Sequence, residues 1–320
     1  MARVVLGVGS SHSPQVSVPW HKWHLLREKD ETDKRLDYRS LLRRAGHDMD
    51  SQLTERCWQE RGEAVERAVV ALRREIQRAE PDVVVIFGDD QHEQFLDDNL
   101  PMLAIYHGRE LPVAGRHARG NPSAWKSFEE GVWAETRPTY RAGSELAEHL
   151  IAGLAEAEFD VARTNRLRES VGVGHAFAFL YRRLLPGTEV PVVPVMVNTY
   201  YPPNQPTSGR CYALGQAVRR AIETWQTDAR VTVMASGGLS HVIMDEPLDR
   251  QVIDALERKD VQALRCLPRK QLVGGTSEIL NWVAVAGVME SEPMHLIDYV
   301  PGYRSPAATG CGMAFAYWKS

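Results

Sequence analysis

VVLGVGSSHSP, residues 4–14, is the stretch from which the fold of this 320-residue chain can be read. Val4 to Val8 form an apolar run of the length a buried strand needs. The run stops in Gly9, Ser10 and Ser11, and His12 follows at once. A histidine just beyond the carboxyl end of a buried strand stands where open α/β sheets gather their ligands. The same arrangement returns in DVVVIFGDDQHE (82–93), which leads to His92, and in VTVMASGGLSH (231–241), which ends in His241. SVGVGHAF (170–177) brings a further histidine, His175, after a glycine-rich turn. These strand ends point to one site assembled from distant parts of the chain.

Between these stretches the pattern alternates. Val65, Ala68, Val69, Leu72 and Ile76 follow helical spacing and stop near Pro81. Leu214, Ala217, Val218 and Ile222 mark another helix, and helices dominate from His241 to about Val288. VPVVPVMVN (190–198) reads as a strand that its prolines weaken, and HLIDYV and CGMAFAYW read as closing strands. YYPPNQPTSGR reads as a loop. The alternation predicts one α/β layered domain over residues 1–320, with insertions near 20–60 and 110–140. The first insertion, rich in both charges, reads as a solvated segment or as a flap in which Trp20, Trp23 and His24 wall the site.

Composition narrows the function. At 43% hydrophobic residues the chain can bury a sizeable core, and a net charge of -4 gives no footprint for nucleic acid. No apolar run approaches the ~20 residues of a membrane span. The N-terminus enters a strand without the signature of a secretory leader. Cys57, Cys211, Cys266 and Cys311 are far apart and form no CxxC pair, which reads as a soluble cytoplasmic protein with reduced thiols.

Of the 11 histidines, His21, His24, His47, His117 and His149 lie in charged or amphipathic surroundings and read as surface residues. His12, His92, His175 and His241 stand apart because each follows a Gly- or Asp-containing turn. Two histidines and a carboxylate are the set with which non-haem Fe(II) oxygenases hold one face of the metal. Glu278, in GGTSE, suits the carboxylate, with Thr276 or Ser277 as cap of the helix that follows. Asp89 and Asp90 compete as ligands or as partners of His92. A phosphate-binding turn at SGGLSH has no adjacent Lys or Arg. A serine nucleophile at Ser10, Ser11 or Ser240 has no GxSxG elbow.

GxxSSHSP, GDDQHEQF, the Gly-x-Gly-His segment, SGGLSH and GTSEILNW occur in an order that resembles the class III extradiol ring-cleavage dioxygenases. The nearest group comprises the protocatechuate 4,5-, gallate and 3-O-methylgallate dioxygenases. The resemblance runs from residue 3 to about 317. It implies an αβα domain with a central mixed sheet and a metal site at strand ends. It further implies a mononuclear Fe(II) on His12, His92 and Glu278, with His241 as acid/base and His175 facing the substrate. Relatives read Asn-Asp-His where this chain has Asp90-Gln91-His92, so a gap-free register puts Gln91 at the ligand position. His92 is preferred because imidazole is a better iron ligand than an amide. Relatives that bind a ring carboxylate carry Ser-Asn where this chain has Ala307 and Ala308. Arg304 and Thr309 are therefore the candidates for holding that substituent.

The function so implied is Fe(II)-dependent cleavage of a catecholic aromatic with incorporation of both atoms of O₂. A Zn²⁺-dependent hydrolase on the same residues and a non-catalytic binding subunit are the alternatives. The partners expected are a small aromatic substrate, O₂, further copies of the chain and, as an option, a small accessory subunit. Neither nucleic acid nor membrane is expected.

Overall fold

The computed structural model describes residues 1–45, 49–112, 139–169 and 171–319. Its first strands are β1 (Arg3–Ser10), β2 (Val83–Gly88), β3 (Leu103–Tyr106), β4 (Glu110–Pro112) and β5 (Thr139–Arg141). There follow β6 (Ala162–Thr164), β7 (Val192–Val197), β8 (Arg230–Ser236), β9 (His241–Ile243), β10 (Met294–Tyr303) and β11 (Thr309–Trp318). All but β4 and β5, which pair with each other, belong to one sheet of order β10-β11-β1-β8-β2-β7-β3-β6, with β9 on β11. The sheet is mixed. Its centre, β1, β8, β2 and β7, is parallel, while β11 runs antiparallel to both β1 and β10.

This centre is what positions the site. Ser10 of β1 lies opposite Ser236 of β8, and Phe87 of β2 opposite Ala235. Three neighbouring parallel strands thus end at the same level, and the segments after them emerge side by side. That is the arrangement expected from the three strand-end histidines, and crevices of this kind are where α/β sheets bind ligands.

Side chains alternate across the sheet with the period of two that a strand imposes. Leu6, Val8, Val84 and Ile86 face the long helix Glu55–Ala79, whose stripe of Val65, Ala68, Val69, Leu72 and Ile76 is buried against them. Val83, Val85, Phe87, Val231 and Val233 face the helices Ser144–Glu156, Ser208–Thr224, Glu246–Glu257 and Ile279–Val288. The domain is therefore one α/β unit with helices on both faces, as the sequence predicts. Two helices of the second layer approach very closely. A Cβ on Gly215 or on Gly287 would overlap the backbone of the facing helix.

Several local expectations are corrected. β7 is a central strand despite Pro194, which lies opposite Ile86, while β3 joins the other edge only from Val195 onward. The described part of residues 20–60 is helical, and its helices Tyr38–Arg44 and Met49–Gln52 bury none of their residues. The helix Trp23–Thr32 precedes them, and the segment leads into Glu55–Ala79. Trp23 and Leu26 are buried in the first core layer, and the Trp23 indole donates to the Val18 carbonyl at 2.9 Å. Trp23 is thus core rather than site wall. Of the expected 110–140 insertion, the flanks form β4 and β5, and residues 113–138 lie outside the described ones, as do His47 and His117. No helix among the described residues is long and apolar enough to cross a membrane.

One buried carboxylate ties the sheet to the segment carrying His241. Asp249 accepts from the Ser240 amide at 2.7 Å and from the Ser240 hydroxyl at 2.8 Å. It also accepts from the Tyr299 hydroxyl at 2.6 Å. Gly312 passes so close to Asp249 that a Cβ there would overlap it. In Asp249→Asn one donor must face an amide N–H, and a buried donor left unpaired costs about 1–3 kcal/mol. Denaturant unfolding should show a loss of that size; an unchanged midpoint would mean that this network is dispensable.

Candidate metal centre

His12 leaves β1 with its ring buried. Its Nδ1 lies 2.9 Å from the Ser236 hydroxyl, which itself donates to the Ala176 carbonyl at 2.5 Å. The single hydroxyl proton is thereby used, so Ser236 must accept from His12, and Nδ1 carries the hydrogen. Nε2 is then the nitrogen available for coordination, and a neighbour on the other ring nitrogen is the usual device for fixing a ligating tautomer. Nε2 points at Glu278, 3.5 Å from its Oε2.

Glu278 is fully buried and lies at the end of the short 3₁₀ turn Gly274–Glu278, directly before the helix Ile279–Val288. Its Oε2 accepts from the Gly238 amide at 2.9 Å, and its Oε1 from Gln91 Nε2 at 3.1 Å and His241 Nε2 at 3.1 Å. Burial alone would raise its pKa, but His241 and His12 hold it well below the usual carboxylate range. Glu278 is therefore ionised. Thr276, expected as a helix cap, braces His241 instead. Its hydroxyl accepts from the His241 amide at 3.1 Å and donates to the His241 carbonyl at 2.9 Å.

Asp89 is the first residue past β2 and is also fully buried. Neither of its oxygens meets a donor in hydrogen-bonding geometry. Burial and the charge on Glu278 push its pKa up to about 6, against the pull of His12, His175 and Gln91. Ligand atoms of His12, Asp89 and Glu278 lie within 4.8 Å of one another. Among the described residues this is the grouping able to hold a metal ion.

His241 and His175 stand beside this cluster. His241 Nδ1 donates to the Leu239 carbonyl at 3.2 Å, and its other nitrogen meets Glu278. Burial opposes a charge on this ring, but Glu278 and Cys311 override it and hold the pKa well above 6.5. The ring lies against Gly275, where a Cβ would overlap it. His175 packs edge-on to His12, with ring centroids 4.9 Å apart. Its amide and its Nδ1 both donate to the buried Glu93, the latter at 3.0 Å.

Three site expectations meet a different geometry. His92 is not brought to His12 and Glu278. It sits at φ 54°, its ring stacks on Tyr201 at 3.7 Å, and its Nε2 lies 3.3 Å from Asp97. The turn 89–95 explains this: Asp90 accepts from the amides of Gln94 and Phe95, and Gln91 is the residue that points at Glu278. Arg304 is buried, and its Nε and Nη2 donate to Asp30, at 2.6 and 3.1 Å. Thr309 is buried and donates to the Ser305 hydroxyl at 2.7 Å. Both side chains are thus engaged with neighbouring side chains of the protein. Tyr200 and Tyr201, in the loop after β7, are legible in the sequence only as loop residues. Burial raises the pKa of Tyr200, and the charges of His241, Glu278, Asp89 and Arg35 bear on it.

A gallate dioxygenase of Pseudomonas putida is 31% identical over 189 residues, 54% of this chain and 54% of that protein. A 2,3-dihydroxyphenylpropionate/2,3-dihydroxicinnamic acid 1,2-dioxygenase of Comamonas testosteroni is 28% identical over 181 residues, 56% of this chain and 49% of the relative. The protein of that name from Cupriavidus necator is 32% identical over 177 residues, 55% and 49% of the two chains. The chain thus spans about half the length of the curated relatives it matches. Residues 46–314, most of the chain, match the family described as the catalytic LigB subunit of aromatic ring-opening dioxygenase, and the chain belongs to that family.

Proposed function

We propose that this chain is an extradiol dioxygenase that opens a catecholic ring beside its two adjacent oxygens and incorporates both atoms of O₂, using one Fe(II). The observation that carries this reading is the buried cluster of His12, Asp89 and Glu278 at adjacent parallel strand ends, with His241 on the same Glu278 carboxylate. The donors fit a divalent cation. An imidazole nitrogen of fixed tautomer faces an ionised carboxylate, and a second buried carboxylate beside them lacks a hydrogen-bond partner. His12 and Glu278 would hold the ion. When bound, Fe(II) would grip the two substrate oxygens and supply the electron path between ring and O₂, so that no external reductant enters the balance.

The remaining work falls to the side chains. The Leu239 carbonyl occupies Nδ1 of His241, so Nε2, which faces Glu278, is the atom through which this ring would exchange a proton with a substrate oxygen. Thr276 and Gly275 fix the position of that ring. Glu93 holds His175 by Nδ1 and sets its edge toward His12, beside the place a substrate would occupy. Tyr200 and the stacked pair of His92 and Tyr201 offer aromatic surface to a planar ligand. The two oxygens gripped by the metal must be neighbours on the ring, so phenols with one oxygen should be inert. The four free cysteines suit a reducing compartment such as the cytoplasm.

Beside Arg304, which is paired with Asp30, Arg35 is a further cation whose charge bears on Tyr200 and Tyr201. Arg35 is paired with Asp33 through Nε and Nη2. On carboxylated rings of the protocatechuate and gallate type, Arg35→Gln should lower kcat/KM more than it does on unsubstituted catechol. Equal losses on both would remove Arg35 from substrate recognition. The test of the reaction itself is oxygen uptake by anaerobically Fe(II)-loaded protein over a panel of catechols. His241→Ala should retain the metal and lose about 10²–10⁴-fold in kcat, the usual contribution of a positioned proton carrier. Zinc in place of iron, or no O₂ uptake with any catechol, would reject the dioxygenase reading.

A further inference from the structure

We propose that the metal centre of this chain is built from one imidazole and two carboxylates, His12, Asp89 and Glu278, with His92 outside the coordination shell. This rests on the functional reading above and specifies its metal site. The four consecutive residues after β2 each point a different way. Asp89 points into the cluster with His12 and Glu278, its ligand oxygen within 4.8 Å of theirs. Asp90 turns away and caps the amides of Gln94 and Phe95 at 2.8 and 2.9 Å. Gln91 donates to Glu278 Oε1 at 3.1 Å. His92, in the left-handed region at φ 54°, lays its ring flat on Tyr201 with an interplanar angle of 2°. One chain direction cannot serve both ends of this turn: with Asp89 inward and Gln91 on Glu278, the imidazole of His92 is carried out to the wall.

Energetics point the same way. Asp89 has no exposed surface and neither oxygen has a hydrogen-bond partner, while the fully buried Glu278 lies in the same cluster. A buried carboxylate is tolerated when it is paired or coordinates a metal. Two such groups side by side repel each other unless a cation stands between them. The cluster supplies what the cation needs: two anionic oxygens and one neutral nitrogen, His12 Nε2, whose tautomer is set by Ser236. Gln91 then serves as an outer donor to a ligating carboxylate, a role that an amide fills well.

The composition has a chemical consequence. Two carboxylates cancel the charge of a divalent ion, whereas two histidines and one carboxylate leave one positive charge. Oxygen-rich sites also suit harder ions such as Mn²⁺, while imidazole favours iron and zinc. Mn(II) should therefore bind this protein readily and can report on the site directly.

The experiment is an anaerobic Mn(II) titration of the full chain, followed by the electron paramagnetic resonance signal of the free aquo ion. Metal analysis after Fe(II) loading accompanies it. Asp89→Asn should weaken binding by more than about 100-fold, Gln91→Ala by about 10–100-fold as an outer partner, and His92→Ala should leave it unchanged. In the Mn(II)-loaded unmutated protein, pulsed resonance should count one coordinated imidazole nitrogen. That measurement needs no variant and decides the matter even if Asp89→Asn fails to fold. Two coordinated nitrogens, or loss of metal in His92→Ala with retention in Asp89→Asn, would overturn the proposal and leave the dioxygenase reading standing. Unmutated protein that binds neither Mn(II) nor Fe(II) would overturn both.

Discussion

The ionised carboxylate of Glu278, without any exposed surface, is the constraint around which the site is arranged. A charge buried in this way is stable only when donors surround it. Here they arrive from two strand ends, Gln91 from after β2 and Gly238 and His241 from after β8, while His12 from after β1 turns its Nε2 toward the same carboxylate. These groups are far apart in sequence, and the parallel order β1-β8-β2 is what delivers them to one point. The sheet centre and the charge therefore depend on each other. Slipping one strand by a single residue would turn its side chains to the opposite face and remove a donor from Glu278.

Behind this charge stands a second polar layer that fixes angles rather than ligands. Thr276 brackets the backbone of His241 from both sides, and Asp249 holds Ser240, the residue before it. Ser236 sets the tautomer of His12, and Glu93 holds His175. Each partner is itself buried. In such surroundings a hydrogen bond is electrostatically stronger than in water, so the rings are held in one orientation before any ligand enters. Close packing reinforces this, since Gly275 leaves room for the ring of His241 and no more.

The chain belongs to a family of ring-opening dioxygenases yet spans only about half the length of the relatives it matches. The residues after β2 are where its site departs from the resemblance. An extra residue between Asp90 and His92 turns the imidazole outward, and Gln91 takes the position facing Glu278. The buried Arg304 is a second departure. It pins the end of β10 to the helix Trp23–Thr32 through Asp30, joining two layers of the fold.

The sequence by itself determined the elements and the level at which the site lies. Apolar runs ending in Gly, Ser or Asp marked β1, β2 and β8, and the helical stripe of Val65 to Ile76 marked the long helix. Both are local patterns with a fixed period, and such patterns survive in one dimension. His12, His175, His241 and Glu278 were legible for the same reason: each follows its turn directly. What only the tertiary structure decided is which way a side chain points after the turn, and who its partner is. Whether Asp89 or His92 faces Glu278 depends on the hydrogen bonds that Asp90 makes to Gln94 and Phe95. Whether Arg304 is free depends on Asp30, 274 residues away. The same holds for Trp23, which an insertion rich in charge concealed as a core residue, and for Pro194 in a central strand. Orientation and long-range pairing are properties of packing, and no local period in the chain carries them.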